Sequence, residues 1–427
     1  MISISVEKVR FPRMVRVHQE FPRPRVEDIP QTVAEQLGAL GLESRIRPGQ
    51  TVALTAGSRG IADIATVLRA VVDFVKSLGA EPFIVPAMGS HGGATAEGQL
   101  EVLHHYGITE EAMGCKIRSS MEAVKIGETV YGTPVYCDKH AFEADHIGVI
   151  NRVKPHTDFH GEIESGLCKM MAIGLGKQYG ANHYHRAFLH YPYQEILEGA
   201  ARVYLESGKV AFGLAIVENA YEETARLVAV RPEELIPTEK KLLSEARTLM
   251  GRLPFDELDC LIVDLMGKDI SGTGMDMNVI GREMFPGLYP LPEGAPRIMR
   301  IFVRDLSPLS YGNAAGIGFA DVTTTRLVQK IDKHATMMNT FTSLTPHGMR
   351  IPVWFDTDRE ALAMILSTLG LTPPERSRTV RIRSTLHLTE MLVSEALLPE
   401  VQRHPRLKVA GQLEEIVFDE NGNLLPL

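Results

Sequence analysis

Cysteine is scarce. Cys115, Cys137, Cys168 and Cys260 are the only four in 427 residues, widely scattered and without a CxxC pair, so no disulfide framework is expected. Long apolar runs are missing too, and the opening Met1-Ile-Ser-Ile-Ser-Val-Glu-Lys8 lacks the layout of a signal peptide. A membrane span and export are therefore not expected, and the cytoplasm is the default. Nor is there an excess of positive charge: 45 Lys and Arg face 53 Asp and Glu, for a formal net charge of -8. General nucleic-acid binding needs a basic face, so that class is set aside. No long internal repeat or low-complexity tract is present. Two familiar nucleotide motifs also fail. The turn Ala56-Gly57-Ser58-Arg59-Gly60-Ile61-Ala62 superficially resembles a short-chain dehydrogenase opening. However, alanines 56 and 62 stand where glycines are needed, and no Tyr-x-x-x-Lys pair follows. Gly174-Leu-Gly-Lys177 hints at a P-loop, but Met171 replaces its first glycine and Gln178 its Ser or Thr.

What remains is an ordinary globular composition, 44% hydrophobic and 23% charged, in a chain long enough for two cores. Short β-branched runs alternate with helical patterns. Thr51–Thr55, Pro82–Pro86, His146–Ile150 and Lys209–Val217 read as strands, with a helix over Ile61–Leu78 and an N-cap at Thr95. A connecting helix spans Pro237–Leu253, and a second α/β pattern opens at Cys260–Leu265 with another strand at Arg300–Arg304. The expected architecture is α/β. Two domains, 1–255 and 256–427, have mostly parallel sheets and an active site in the cleft between them. In such sheets ligands bind at the carboxyl ends of the strands. The turns after Thr55, Met88 and Ile150 should therefore share one crevice.

The densest polar constellation runs from Asn151 to Lys169 and on through Gly180-Ala-Asn-His183-Tyr-His185. It follows a strand and holds four histidines: His156, His160, His183 and His185. Lys169 sits in the otherwise apolar Gly-Leu-Cys-Lys-Met-Met-Ala-Ile-Gly, where desolvation would lower its pKa towards a reactive amine. His104 and His105 fall on a predicted helix, where neighbours point ~100° apart, and read as solvated.

On these motifs, in this order, the sequence resembles the nickel-dependent lactate racemase family, as a divergent member. Gly57-Ser-Arg59 looks like its first-strand turn, whose arginine contacts the ligand. Met88-Gly-Ser-His91 is similar to the motif that supplies one catalytic histidine, and Lys154-Pro-His156 to the source of the second. Ser165-Gly166 with Lys169 resembles the turn whose lysine forms a thioamide with the cofactor. His185, sixteen residues later, stands at the spacing of the axial nickel ligand. Lys268-Asp269, Gly274-Met-Asp276-Met-Asn278 and Arg282 occupy the place of the second-domain motif that closes over substrate. His160 remains an alternative to His156, because thirteen residues separate His156 from Lys169, a few more than in lactate racemases; His183 likewise competes with His185.

The resemblance implies an isomerase acting on a small 2-hydroxy acid of malate or lactate type. Its cofactor would be a nickel-pincer nucleotide (pyridinium-3-thioamide-5-thiocarboxylic acid mononucleotide with Ni), attached covalently to Lys169 and loaded by cofactor-synthesis enzymes. The cofactor would accept hydride while His91 and His156 exchange the hydroxyl proton. Arg59 with Lys268 or Arg282 would clamp the substrate carboxylate. An apparent surplus of cations (Arg59, Arg152, Lys154, Lys177, Arg186, Lys268, Arg282) makes malate the first diacid to consider.

Overall fold

The computed structural model describes residues 6–58 and 60–427. The chain forms two compact units, one of Pro22–Met250 and one that joins the residues up to Phe21 to Gly251–Leu427. This departs from the expected division at 255. The physical reason is β1 (Met14–Gln19), which pairs antiparallel with two strands near the end of the chain.

The Pro22–Met250 unit holds β2 (Thr51–Ala56), β3 (Glu81–Pro86), β4 (Lys116–Ile117), β5 (Ala123–Glu128), β6 (Pro134–Asp138), β7 (His146–Arg152), β8 (Val210–Glu218) and β9 (Thr224–Val230). Six of them form one sheet in the order β4-β3-β2-β7-β8-β9, parallel except at β8-β9, while β5 and β6 make a separate hairpin. β2 and β3 are apolar at nearly every position because both faces of the sheet are covered.

Its helices are α1 (Ile29–Gly38), α2 (Ile64–Ser77), α3 (Ala96–His105), α4 (Glu110–Met113), α5 (Lys139–Glu143), α6 (Leu167–Lys169), α7 (Lys177–Ala187), α8 (Tyr193–Glu206) and α9 (Leu235–Leu249). In α2 the buried Ile64, Val67, Leu68, Val71, Val72 and Val75 trace one stripe at helical spacing. Thr95 caps α3 by accepting the Gly98 N–H at 3.1 Å, as expected from its sequence.

The other unit carries β10 (Glu257–Met266), β11 (Arg297–Leu306), β12 (Val322–Thr324), β13 (Val353–Phe355), β14 (Thr379–Ile382), β15 (Glu390–Ser394) and β16 (Leu407–Val409). With β1 they form an eight-stranded sheet, β13-β12-β11-β10-β14-β15-β1-β16, parallel from β13 to β14 and antiparallel beyond. Leu261 and Val263 of β10 enter one core and Cys260 and Ile262 the other, the period-two signature of a strand buried on both faces. No helix among the described residues is long and apolar enough to cross a membrane.

Candidate active site

Because β2, β3 and β7 are parallel, their carboxyl ends open on one edge of the sheet. The loops there touch. Gly89 N–H donates to Gly174 O at 3.2 Å, and a Cβ on Gly57 would meet Met170 and Asn151. Ser58 Oγ lies 2.5 Å from His91 Nδ1, joining the turns after β2 and β3. Arg59 lies outside the described residues.

The loop after β7 closes on itself. Lys154 and Ser165 exchange backbone hydrogen bonds of 2.8 and 3.3 Å, and Asn151 Nδ2 donates to Gly166 O at 2.7 Å. Inside it sits Glu164, 1% exposed, which accepts from the N–H groups of His156 (2.6 Å) and Gly161 (3.0 Å) and from Arg247 (2.6 Å). Burial pushes its carboxyl up, but hydrogen bonds from His160, Gly161, His156 and Arg247 outweigh that and hold it below the usual range. This buried carboxylate shapes the turn that presents His156, and the sequence reading passed over it.

The His156 ring packs against Phe159 and Tyr193, which stack at 4.2 Å. Burial drives its pKa well below the histidine norm, with the charges of Lys169, Lys154, His160 and His185 acting in the same direction. The ring is therefore neutral at pH 7. Its Nδ1 accepts the Asp158 N–H at 3.0 Å, so the neutral form carries its proton on Nε2.

Lys169 ends the single turn α6, and its Nζ lies 3.3 Å from Ser165 Oγ. The next six residues, Met170–Leu175, form a π-turn, a widening that recurs at functional sites. It leads into α7 and His185. Burial pulls the His185 imidazole down to about 4, with the charge of Lys169 adding to the effect. His185 Nδ1 is buried without a hydrogen-bond partner among the described residues. His183, by contrast, is exposed and bonds the Tyr179 carbonyl at 2.8 Å through Nδ1. Of the two, His185 has the donor that still needs a partner.

Glu239 is the second residue the sequence reading missed. It lies on α9 among Leu235, Ile236, Leu242, Leu243 and Ala246, an acid in an otherwise apolar stripe. Its Oε2 accepts the Cys168 N–H at 2.9 Å, which braces the turn bearing Lys169. Burial raises its pKa to about 7, opposed by the N–H groups of Cys168 and Leu167.

The residues fit a tethered metal cofactor. An amine, a hydroxyl and two neutral imidazoles come together, and one buried imidazole nitrogen lacks a partner among the described residues. Among the described residues no group of three or more His, Cys, Asp or Glu could hold a metal ion.

The cation surplus is smaller than expected. Arg152 pairs with Glu218, and the buried Lys177 with Asp138 at 3.0 Å. In the other unit, Lys268 bonds Gly272 O and Asn339 Oδ1, and Asp269 accepts from Ser307. Asp276 caps the helix Met277–Ile280 through the Asn278 N–H, so these motif residues organise their own loop. Arg282 donates to Ile298 O at 2.7 Å and faces Asp321 at 3.5 Å.

Taken together, these features define an α/β protein with a lysine-and-histidine site at the carboxyl edge of a parallel sheet. Residues 2–196 match the family model described as the lactate racemase N-terminal domain. A solved structure, the lactate racemase apoprotein from Thermoanaerobacterium thermosaccharolyticum, shares its fold with a TM-score of 0.52 at 14% identity, over 88% of this chain and 99% of that one. No curated protein matches the chain.

Proposed function

We propose that the protein interconverts the two configurations of a small 2-hydroxy acid. The observation that carries this reading is Lys169 set beside Ser165 and within electrostatic reach of two neutral imidazoles, His156 and His185, in the stretch that matches the lactate racemase N-terminal domain. A 2-hydroxy acid's Cα–H is barely acidic, whereas loss of hydride gives a planar 2-keto acid that can be reduced on either face. A nickel-pincer nucleotide, when bound, would supply the hydride acceptor. Lys169 would tether it, Ser165 and Gly166 would line the attachment, and His185 would be its protein ligand on the metal.

The chain's own part is proton handling. His91, with Ser58 Oγ able to accept from Nδ1–H, can present a bare Nε2 to the substrate hydroxyl. His156 starts with Nε2–H, and to take a proton there it must shift its proton to Nδ1 and give up the Asp158 N–H. A monocarboxylate of lactate type is favoured over malate, because Arg152, Lys177 and Arg282 already face carboxylates of the chain.

The test is wild type and Lys169→Ala, each made beside the cofactor-synthesis enzymes. Intact mass should show a covalent adduct on wild type alone. Chiral chromatography should show that the loaded protein racemises lactate faster than malate. An adduct retained by Lys169→Ala would overturn the tether, and loaded protein inert towards every 2-hydroxy acid would overturn the activity.

A further inference from the structure

Lys177 looks from its sequence like a P-loop lysine or a substrate cation, and its surroundings allow neither. It opens α7 with a left-handed φ of 53° and is wholly buried. Its ammonium donates to Pro86 O at the end of β3 (2.6 Å) and to Gln99 Oε1 on α3 (3.2 Å), and forms an ion pair with Asp138 Oδ2 at the end of β6 (3.0 Å). Three oxygens of the chain thus surround a wholly buried ammonium, which is committed to the interior.

Gln99 is fully buried as well, and its other end points at the loop after β3. Its Nε2 donates to Gly89 O at 3.0 Å and to His91 O at 3.2 Å, so one amide grips the turn on both sides of Ser90. That turn needs gripping. Gly89, Gly92, Gly93 and Ala94 all adopt left-handed φ, a conformation a side chain disfavours, and Gly92 presses on Gly98 with no room for a Cβ on either. An amide can face either way, but an ammonium cannot donate to an NH₂ group. The charge on Lys177 therefore decides that Gln99 turns its oxygen inward and both donors towards the turn.

We propose that Lys177, acting through Gln99, is a positioning residue for His91: the buried ammonium orients the amide, and the amide's two donors hold the carbonyls that set where the His91 ring stands. Asp138 completes the device by neutralising the ammonium while its Oδ1 caps α5 through the Ala141 N–H at 2.9 Å. The catalytic consequence rests on the racemase reading, but the positioning itself does not.

Gln99→Glu tests it. The side chain keeps its size and its bond from Lys177 but has no donor for Gly89 O or His91 O. The variant should fold with a thermal midpoint near wild type, while amide hydrogen exchange over residues 89–95 speeds up about tenfold and that of α7 stays unchanged. In the loaded enzyme kcat should fall ~10- to 100-fold with KM within about threefold, as expected when a reacting group is misplaced and substrate binding is not. Lys177→Met combined with Asp138→Asn removes both charges but keeps the α5 cap, and it should reproduce the pattern. Should Gln99→Glu fail to fold, Gln99→Met replaces it with the same expectation. Unchanged exchange over 89–95 in a folded variant overturns the proposal, as does wild-type kcat. Faster exchange in a protein that racemises nothing leaves the positioning standing and removes the racemase reading.

Discussion

Gly166 and Glu239 occupy almost the same space: a Cβ built on Gly166 would fall on the Glu239 carboxyl, well inside van der Waals contact. The backbone of Gly166 is extended, with φ of -174°, so the glycine is there for room and not for a rare conformation. Gly166→Ala should destabilise the protein by roughly 1–3 kcal/mol, as overpacking does, and lower the yield of cofactor-loaded enzyme. In a Glu239→Ala background most of that cost should vanish. Denaturant unfolding of the four proteins gives the coupling, and strict additivity would show that the two residues do not compete.

Glu239 should also leave a mark on the pH dependence of stability. Its carboxyl keeps its proton up to about 7 when folded but releases it near 4.5 when exposed. Between those values the folded state binds more protons, so this group's contribution is full below 4.5, falls as pH rises and is flat above about 7. Relative to Glu239→Gln, wild type should lose on the order of 3 kcal/mol between pH 4.5 and 8. Parallel stability profiles for the two proteins would refute the assignment.

His185 is expected to be the protein's nickel ligand. Its ring is neutral at pH 7, the form that binds metal, and its buried Nδ1 lacks a hydrogen-bond partner among the described residues. His185→Ala should lose nickel by elemental analysis, whereas His183→Ala, with an exposed ring bonded to Tyr179 O, should keep it. The reverse result exchanges the two residues.

His156→Ala should reduce racemisation at least a hundredfold in both directions, because each half of the reaction needs its own proton carrier, of the order of 10²–10⁴ per group. Cofactor loading should be unaffected, as judged by intact mass. His160 sits 3.8 Å from Glu164 and contributes to the turn, so His160→Ala should fall by less than His156→Ala. Racemisation that survives His156→Ala moves the role to His160.

The parallel strands of the Pro22–Met250 unit were legible because burial on both faces forces uninterrupted apolar runs, and α2 because its stripe is regular. The strands that were missed are short or partly exposed, such as β4 and β5, where no pattern stands out. β1 was illegible for another reason. Its partners lie more than 370 residues away, and pairing at that distance leaves no local trace. In the site, the histidines and Lys169 stood out by residue type. The acids that hold them did not, since Glu164 and Glu239 act through backbone N–H groups that every sequence possesses. The cations misled in the opposite sense: a sequence shows charge and hides its partner, as Lys177 and Asp138 illustrate.

The far-apart pairing of β1 has a consequence for how the chain is made. β1 is synthesised more than 370 residues before β15 and β16, so its hydrogen-bonding edges stay open while the whole of 22–250 is made. Residues 22–250 form a contiguous unit that can collapse meanwhile. A nascent chain halted near residue 300 should accordingly resist protease over 22–250 and be cut before Pro22. A fragment made for study of the site should begin at Pro22, since starting earlier would leave an orphan strand free to seek a partner in another molecule.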